Sequence, residues 1–145
     1  MQTLFTLGYQ GHSITTFLDL LGAHGVTTVV DVRERPFSRK PDFSKKRLGA
    51  HLTDIRIGYV HIAELGTPKP IRDEVRRSKD YQAFFAAIRP LVEAEEIVLQ
   101  SVLAMARAET CALLCYEGLI TECHRLAVAE ALLARANGDL TVVHL

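Results

Sequence analysis

The run Val26-Thr27-Thr28-Val29-Val30-Asp31-Val32 constrains the fold more than any other stretch of the chain. It is β-branched on both faces, so as a strand it has no side to turn toward water, and it belongs in a sheet covered on both sides. Upstream, Leu4-Phe5-Thr6-Leu7 is a second β-favouring run, stopped by the turn-forming Gly8-Tyr9-Gln10-Gly11. Between the two, Ser13 stands where a helix N-cap belongs, ahead of Ile14, Phe17, Leu18 and Leu21 at i, i+3, i+4, i+7 spacing. Gly25 is placed to end that helix in a left-handed conformation, with His24 at the negative end of its dipole. Strand, helix and strand in this order make a βαβ unit: two parallel strands joined by a right-handed crossover.

The pattern breaks over residues 33 to 47. Pro36 and Pro41 exclude a continuous helix or a central strand, and Arg33, Arg35, Arg39, Lys40, Lys45, Lys46 and Arg47 outnumber Glu34 and Asp42. Ser44 reads as the cap of a short helix carrying Leu48, Leu52 and Ile55, weakened by Gly49. Ile57 to Ile62 is a third strand, and Thr67-Pro68-Lys69-Pro70 a loop. A helical pattern runs from Asp80 through Phe84, Phe85 and Ile88 until Pro90 kinks or restarts it, and a further helix spans Leu91 to Arg107. Thr110 to Cys115 is a fourth strand, a continuous apolar run after a polar link. A helix from Thr121 or Glu122 to Ala136, ended by Asn137-Gly138, leads to a fifth strand at Leu140 to His144. The expected fold is one three-layer α/β domain over residues 1–145, with a mainly parallel sheet of about five strands and helices on both faces.

Composition agrees. The 145 residues are 48% apolar and 23% charged, enough for a core and against wholesale disorder. Seventeen basic and seventeen acidic residues cancel, so no global field draws the chain to nucleic acid or an anionic membrane. The N-terminal segment lacks the basic region and long apolar stretch of a signal peptide, and no apolar run could span a bilayer. Three cysteines form no disulfide framework. The expectation is a reduced, cytoplasmic protein with no membrane partner.

In open parallel sheets, ligands bind beyond the C-terminal ends of the strands. Tyr9, Gln10 and His12 leave strand one there; Asp31, Arg33 and the basic loop through Arg39 leave strand two; His61 and Glu64 follow strand three. Cys115, Tyr116 and Glu117 leave strand four, with Cys123, His124 and Arg125 opening the helix behind. Three chemistries fit. A cysteine at a helix N-terminus beside His124 and Arg125 has its thiolate favoured, which makes Cys123, facing Cys115 across the loop, a candidate nucleophile. Cys115, Cys123 and His124, with His12 or His61 from neighbouring loops, could instead hold zinc or iron. Adjacent helical residues point about 100° apart, so Cys123 and His124 can both ligate only if the helix begins after them. The third chemistry is anion binding by Arg33, Arg39, Arg125 and the amides of residues 8 to 11. Asp31 and Arg33 would face the same way on a continuing strand and read as a structural pair. Glu117 ranks higher as a proton carrier. Cys111 reads as a small hydrophobe, and His24, His51 and His144 as surface or packing residues.

The segments Gly8-Tyr9-Gln10-Gly11-His12-Ser13, Val30-Asp31-Val32-Arg33, Ser38-Arg39, Phe43-Ser44-Lys45, Tyr59-Val60-His61, Glu64-Leu65-Gly66, Asp80-Tyr81, Cys115-Tyr116-Glu117 and Cys123-His124-Arg125 together resemble the bacterial and archaeal family called domain of unknown function 488. The resemblance runs from end to end and implies a compact α/β domain with the Cys-x-Glu and Cys-His-Arg segments as its signature. It implies no established reaction. Gln10 stands where many members carry an acidic residue.

Two function classes follow. The first is an enzyme acting on an anionic substrate, phosphorylated or derived from nucleic acid. Arg33, Arg39 and Arg125, with Tyr9, His12, Asp31 and His61, would bind the substrate; Glu117 or His124 would move protons, and Cys115 or Cys123 would be nucleophile or ligand. The second is a binding module without catalysis, whose basic loop recognises nucleic acid or a partner protein. A Cys/His metal protein is a further alternative, and no other cofactor follows from the sequence.

Overall fold

The computed structural model describes residues 1–145. Five strands, β1 (Gln2–Gly8), β2 (Thr28–Asp31), β3 (Gly58–His61), β4 (Cys111–Cys115) and β5 (Leu140–His144), form one all-parallel sheet in the order β3-β2-β4-β1-β5. Six helices cover it: α1 (Ile14–Ala23), α2 (Lys45–Asp54), α3 (Lys69–Ser78), α4 (Tyr81–Glu93), α5 (Glu96–Ala108) and α6 (Arg125–Arg135). The three-layer α/β architecture expected from the sequence is the one observed. No helix is long and apolar enough to cross a membrane.

Alternation along the strands splits the core in two. Phe5, Leu7, Val29 and Leu114 face α1 and α2 and pack with Phe17, Leu21, Leu48 and Leu52. Leu4, Val30 and Leu113 face the other way, against Ile88, Val92, Leu103, Val128 and Leu132 of α4, α5 and α6. Each fully buried Leu or Phe contributes about 1.5–3 kcal/mol relative to exposure. At the head of α1, Ser13 Oγ accepts from the Thr16 amide at 3.1 Å, the cap its sequence position predicts. Ser13→Ala is expected to lower stability by about 1 kcal/mol, read as a shifted urea midpoint.

Three boundaries differ from expectation. Lys69 and Pro70, which the sequence places in a loop, open α3 (Lys69–Ser78), a helix with no fully buried residue. Pro90 does not restart the helix: α4 runs through it to Glu93. Ala86 and Pro90 both lie on the exposed side of α4, so the carbonyl that loses its amide partner is left to water while Ile88 and Val92 stay in the core. The interruption falls at Ala94 and Glu95 instead. Last, α6 begins at Arg125, after a single helical turn at Ile120–Glu122, so Cys123 (φ −129°, ψ 136°) is extended and both Cys123 and His124 precede the helix.

Candidate reaction centre at the end of β4

The crossovers after β1 and β2 run over the α1/α2 face, whereas the one after β4 returns through α6 on the opposite face. Since β4 lies between β2 and β1, the connections diverge on either side of its C-terminal end, the place where open parallel sheets receive ligands. Cys115 is the last residue of β4. The extended segment before α6 brings Cys123 and His124 back to it, so that Cys115 Sγ, Cys123 Sγ and a ring nitrogen of His124 all lie within 4.8 Å of one another. All three residues are buried. Cys115 Sγ is 3.5 Å from His124 Nδ1 and 3.5 Å from Glu117 Oε2.

The ring of His124 is held in one orientation. Its Nε2 lies 2.7 Å from the Val32 carbonyl, at the end of β2. A carbonyl only accepts, so Nε2 carries hydrogen, and in the neutral ring the Nδ1 lone pair faces the sulfurs. Burial opposes ionisation of Cys123, but hydrogen bonds with Cys115 and His124 and the charges of His124 and Arg125 outweigh it and hold this thiol well below the ordinary range. Cys115 moves the opposite way: its hydrogen bond to Cys123 and its burial push it well up. Glu117 is raised to about 7, by burial first and by the Cys123 charge second. Cys111, on the same face of β4, is pushed up to about 11 by burial and by Glu109 and packs as a small apolar residue.

Arg125 is fully buried. Nε donates to Thr6 Oγ1 at 3.2 Å, Nη2 to the Gly118 carbonyl at 3.3 Å and Nη1 to the Glu117 carbonyl. It forms no ion pair with a carboxylate, and the charge it favours is the Cys123 thiolate. Three of its five donors thus tie the β4–α6 loop to β1 from inside.

Asp31 and Arg33 occupy the other side of the sheet. Asp31 accepts from the Arg33 amide (3.1 Å), Nε (2.9 Å) and Nη2 (2.7 Å), and from the Tyr59 hydroxyl (2.5 Å). Arg33 Nη1 also donates to the Tyr9 hydroxyl at 3.3 Å, and the Tyr9 ring stacks on Phe43 at 4.5 Å. Burial, then the charge and hydrogen bond of Asp31, raise the Tyr59 hydroxyl above the usual phenol range and keep it a donor. His61 Nε2 is bonded to the Arg33 carbonyl at 2.7 Å, and His12 Nδ1 lies 3.3 Å from Thr16 Oγ1 at the start of α1. Arg39 is exposed. Of the residues singled out in the sequence, the structure therefore gathers Cys115, Glu117, Cys123, His124 and Arg125 at one point. It assembles Tyr9, Asp31, Arg33 and His61 into a bonded network behind it and leaves His12 and Arg39 apart.

Three contributors went unnoticed in the sequence. Thr6, which holds Arg125, is the one polar residue of the run Leu4-Phe5-Thr6-Leu7, and that was its signal. Tyr59 sits two residues before His61, whose register partner is Asp31, and so shares the face of that carboxylate. The Val32 carbonyl, a backbone atom, leaves no trace in side-chain chemistry.

A family model described as Domain of unknown function DUF488 matches residues 13–132. The chain belongs to this family. No curated protein and no solved structure matches the chain. The DUF488 match takes in the Asp-Val-Arg segment and both cysteine segments of the β4 centre, and it begins just after the Gly8–His12 turn.

Proposed function

We propose that this protein is an enzyme whose reaction centre is the cluster at the end of β4, with Cys115, Cys123 and His124 holding a thiophilic divalent cation of the zinc class. Its substrate is an anion, brought to this edge by the exposed cations of the loop after β2. The carrying observation is the closeness of three buried ligand atoms within 4.8 Å, two sulfurs and one imidazole nitrogen, a donor set matched to that class of metal. Two further features support it. The Val32 carbonyl fixes the ring so that Nδ1 faces the sulfurs, as outer partners do for metal-ligating histidines. Buried Arg125, without a carboxylate partner, offsets negative charge on the two sulfurs. A bound cation of this kind would act as a Lewis acid on substrate or water. Glu117, beside Cys115 and only half buried, accepts or donates the proton that the reaction moves.

The test is metal content by mass spectrometry on untagged protein purified without oxygen. About one zinc-class ion per chain is expected, retained in Cys111→Ser and lost from Cys115→Ser and Cys123→Ser, with circular dichroism to show that the variants fold. Metal-free protein, or equal loading of all three variants, would overturn the assignment. A Cys115–Cys123 disulfide in metal-free protein would make the centre a redox dithiol instead.

A further inference from the structure

The loop that leaves β2 and the first turn of α2 gather the densest group of unpaired cations in the chain. Over residues 35–47, Arg35, Arg39, Lys40, Lys45, Lys46 and Arg47 face a single acid, Asp42, already taken by Arg47 at 3.2 Å and His51 at 2.9 Å. Arg35, Arg39, Lys45 and Lys46 are exposed and enter none of the molecule's ten ion pairs. Elsewhere Arg72, Arg77, Arg89, Arg107 and Arg135 are paired with carboxylates, and of the exposed cations only Arg56, Arg76 and Lys79 are not. Among the unpaired cations stands Phe37, 78% exposed, an aromatic ring with no packing role.

The loop is braced rather than loose. Ser44 Oγ, which caps no helix, accepts from the Ser38 amide at 3.0 Å and donates to the Ser38 carbonyl at 3.3 Å. The Lys45 amide donates to the Pro36 carbonyl at 2.9 Å, and Lys40 Nζ to the His12 carbonyl at 2.9 Å. Phe37 is thus presented on a fixed turn between cations at the sheet edge where β4 also ends.

We propose that this surface binds single-stranded nucleic acid, a base stacking on Phe37 while Arg35, Arg39, Lys45 and Lys46 take the flanking phosphates. Unpaired cations alternating with an exposed ring are what an unpaired strand needs: charge for the backbone and a flat apolar face for the base. A duplex keeps its bases stacked and offers Phe37 nothing. As a substrate for the β4 centre, the strand rests on the function proposed above; as a ligand, it does not.

The experiment is fluorescence anisotropy with labelled single-stranded and duplex oligonucleotides on the full chain, across a salt series. Single-strand affinity is expected to fall with salt at a log–log slope of about −3, as for roughly four phosphate contacts. Arg39→Gln/Lys45→Gln/Lys46→Gln should flatten that slope by about two. Phe37→Ala should weaken single-strand binding about 5- to 100-fold at an unchanged slope, and Phe37→Trp should restore it. No binding at low salt would overturn the proposal. So would binding indifferent to Phe37→Ala, which would make the surface a charge match for an acidic protein. A strand bound equally by metal-free protein keeps this inference even if the metal centre fails, and a metal-loaded protein that ignores the strand fails this inference alone.

Discussion

Asp31→Asn is expected to destabilise the protein by about 3–5 kcal/mol, because it leaves the Arg33 charge buried without a counter-ion. The wild-type carboxylate is fully buried and its partner guanidinium 6% exposed. Four donors converge on its two oxygens. Asparagine fills the same space but turns one oxygen into a donor aimed at donors and removes the charge. With a urea slope of about 1–3 kcal/mol per M, the midpoint should drop by more than about 1 M. The loss comes from an orphaned charge, so Asp31→Asn/Arg33→Met should recover part of it, a non-additivity that a double-mutant cycle reads directly. Equal stability of Asp31→Asn and wild type would show that water reaches Arg33 in solution.

Gly8→Ala is the second large effect. A Cβ at Gly8 would lie 1.8 Å from the Glu117 carbonyl oxygen, 2.5 Å from its carbon and 3.0 Å from Arg125 Nη1. The obstacle is backbone, so no side chain can swing aside, and the end of β1 must move off the β4–α6 loop. The expected cost is about 3 kcal/mol or more, at the upper end for overpacked positions. The same shift pulls at Cys115, the register partner of Gly8, so metal loading should fall together with the urea midpoint. Gly22 provides the contrast. It lies inside α1 with nothing within 4 Å of a new Cβ, and Gly22→Ala should stabilise by about 0.5–1 kcal/mol. If both substitutions behave alike, the close approach at Gly8 is not rigid.

What the sequence disclosed depended on period and polarity. Strands β1, β2, β4 and β5 announced themselves as dense β-favouring runs, and α1 through Ser13 and the spacing of Phe17 and Leu21. Helix α3 stayed hidden because it rests on the core through Ile71 and Val75 alone, too few apolar positions to set a helical period against two prolines. Strand order was illegible, since crossovers of similar length serve neighbours and non-neighbours alike. The reactive groups could be sorted to one edge because the strand-end rule needs only the strands. Their division between two faces could not. It depends on parity within each strand and on where α6 begins, and a shift of three residues there decides whether Cys123 and His124 diverge on a helix or converge on Cys115.

Strands β1 and β2 are joined by one short crossover, yet in the sheet they do not touch: β4 fills the slot between them. During synthesis, the first half of the chain therefore emerges with two strands flanking an unfilled gap and no backbone partners across it. Residues 111–115, made when most of the polypeptide is already out, supply the missing strand. The same insertion delivers Cys115 beside the Val32 carbonyl that orients His124. Zipping of the sheet and formation of the thiol–imidazole cluster both wait on this strand, so a chain truncated before Cys111 has neither a closed sheet nor the cluster.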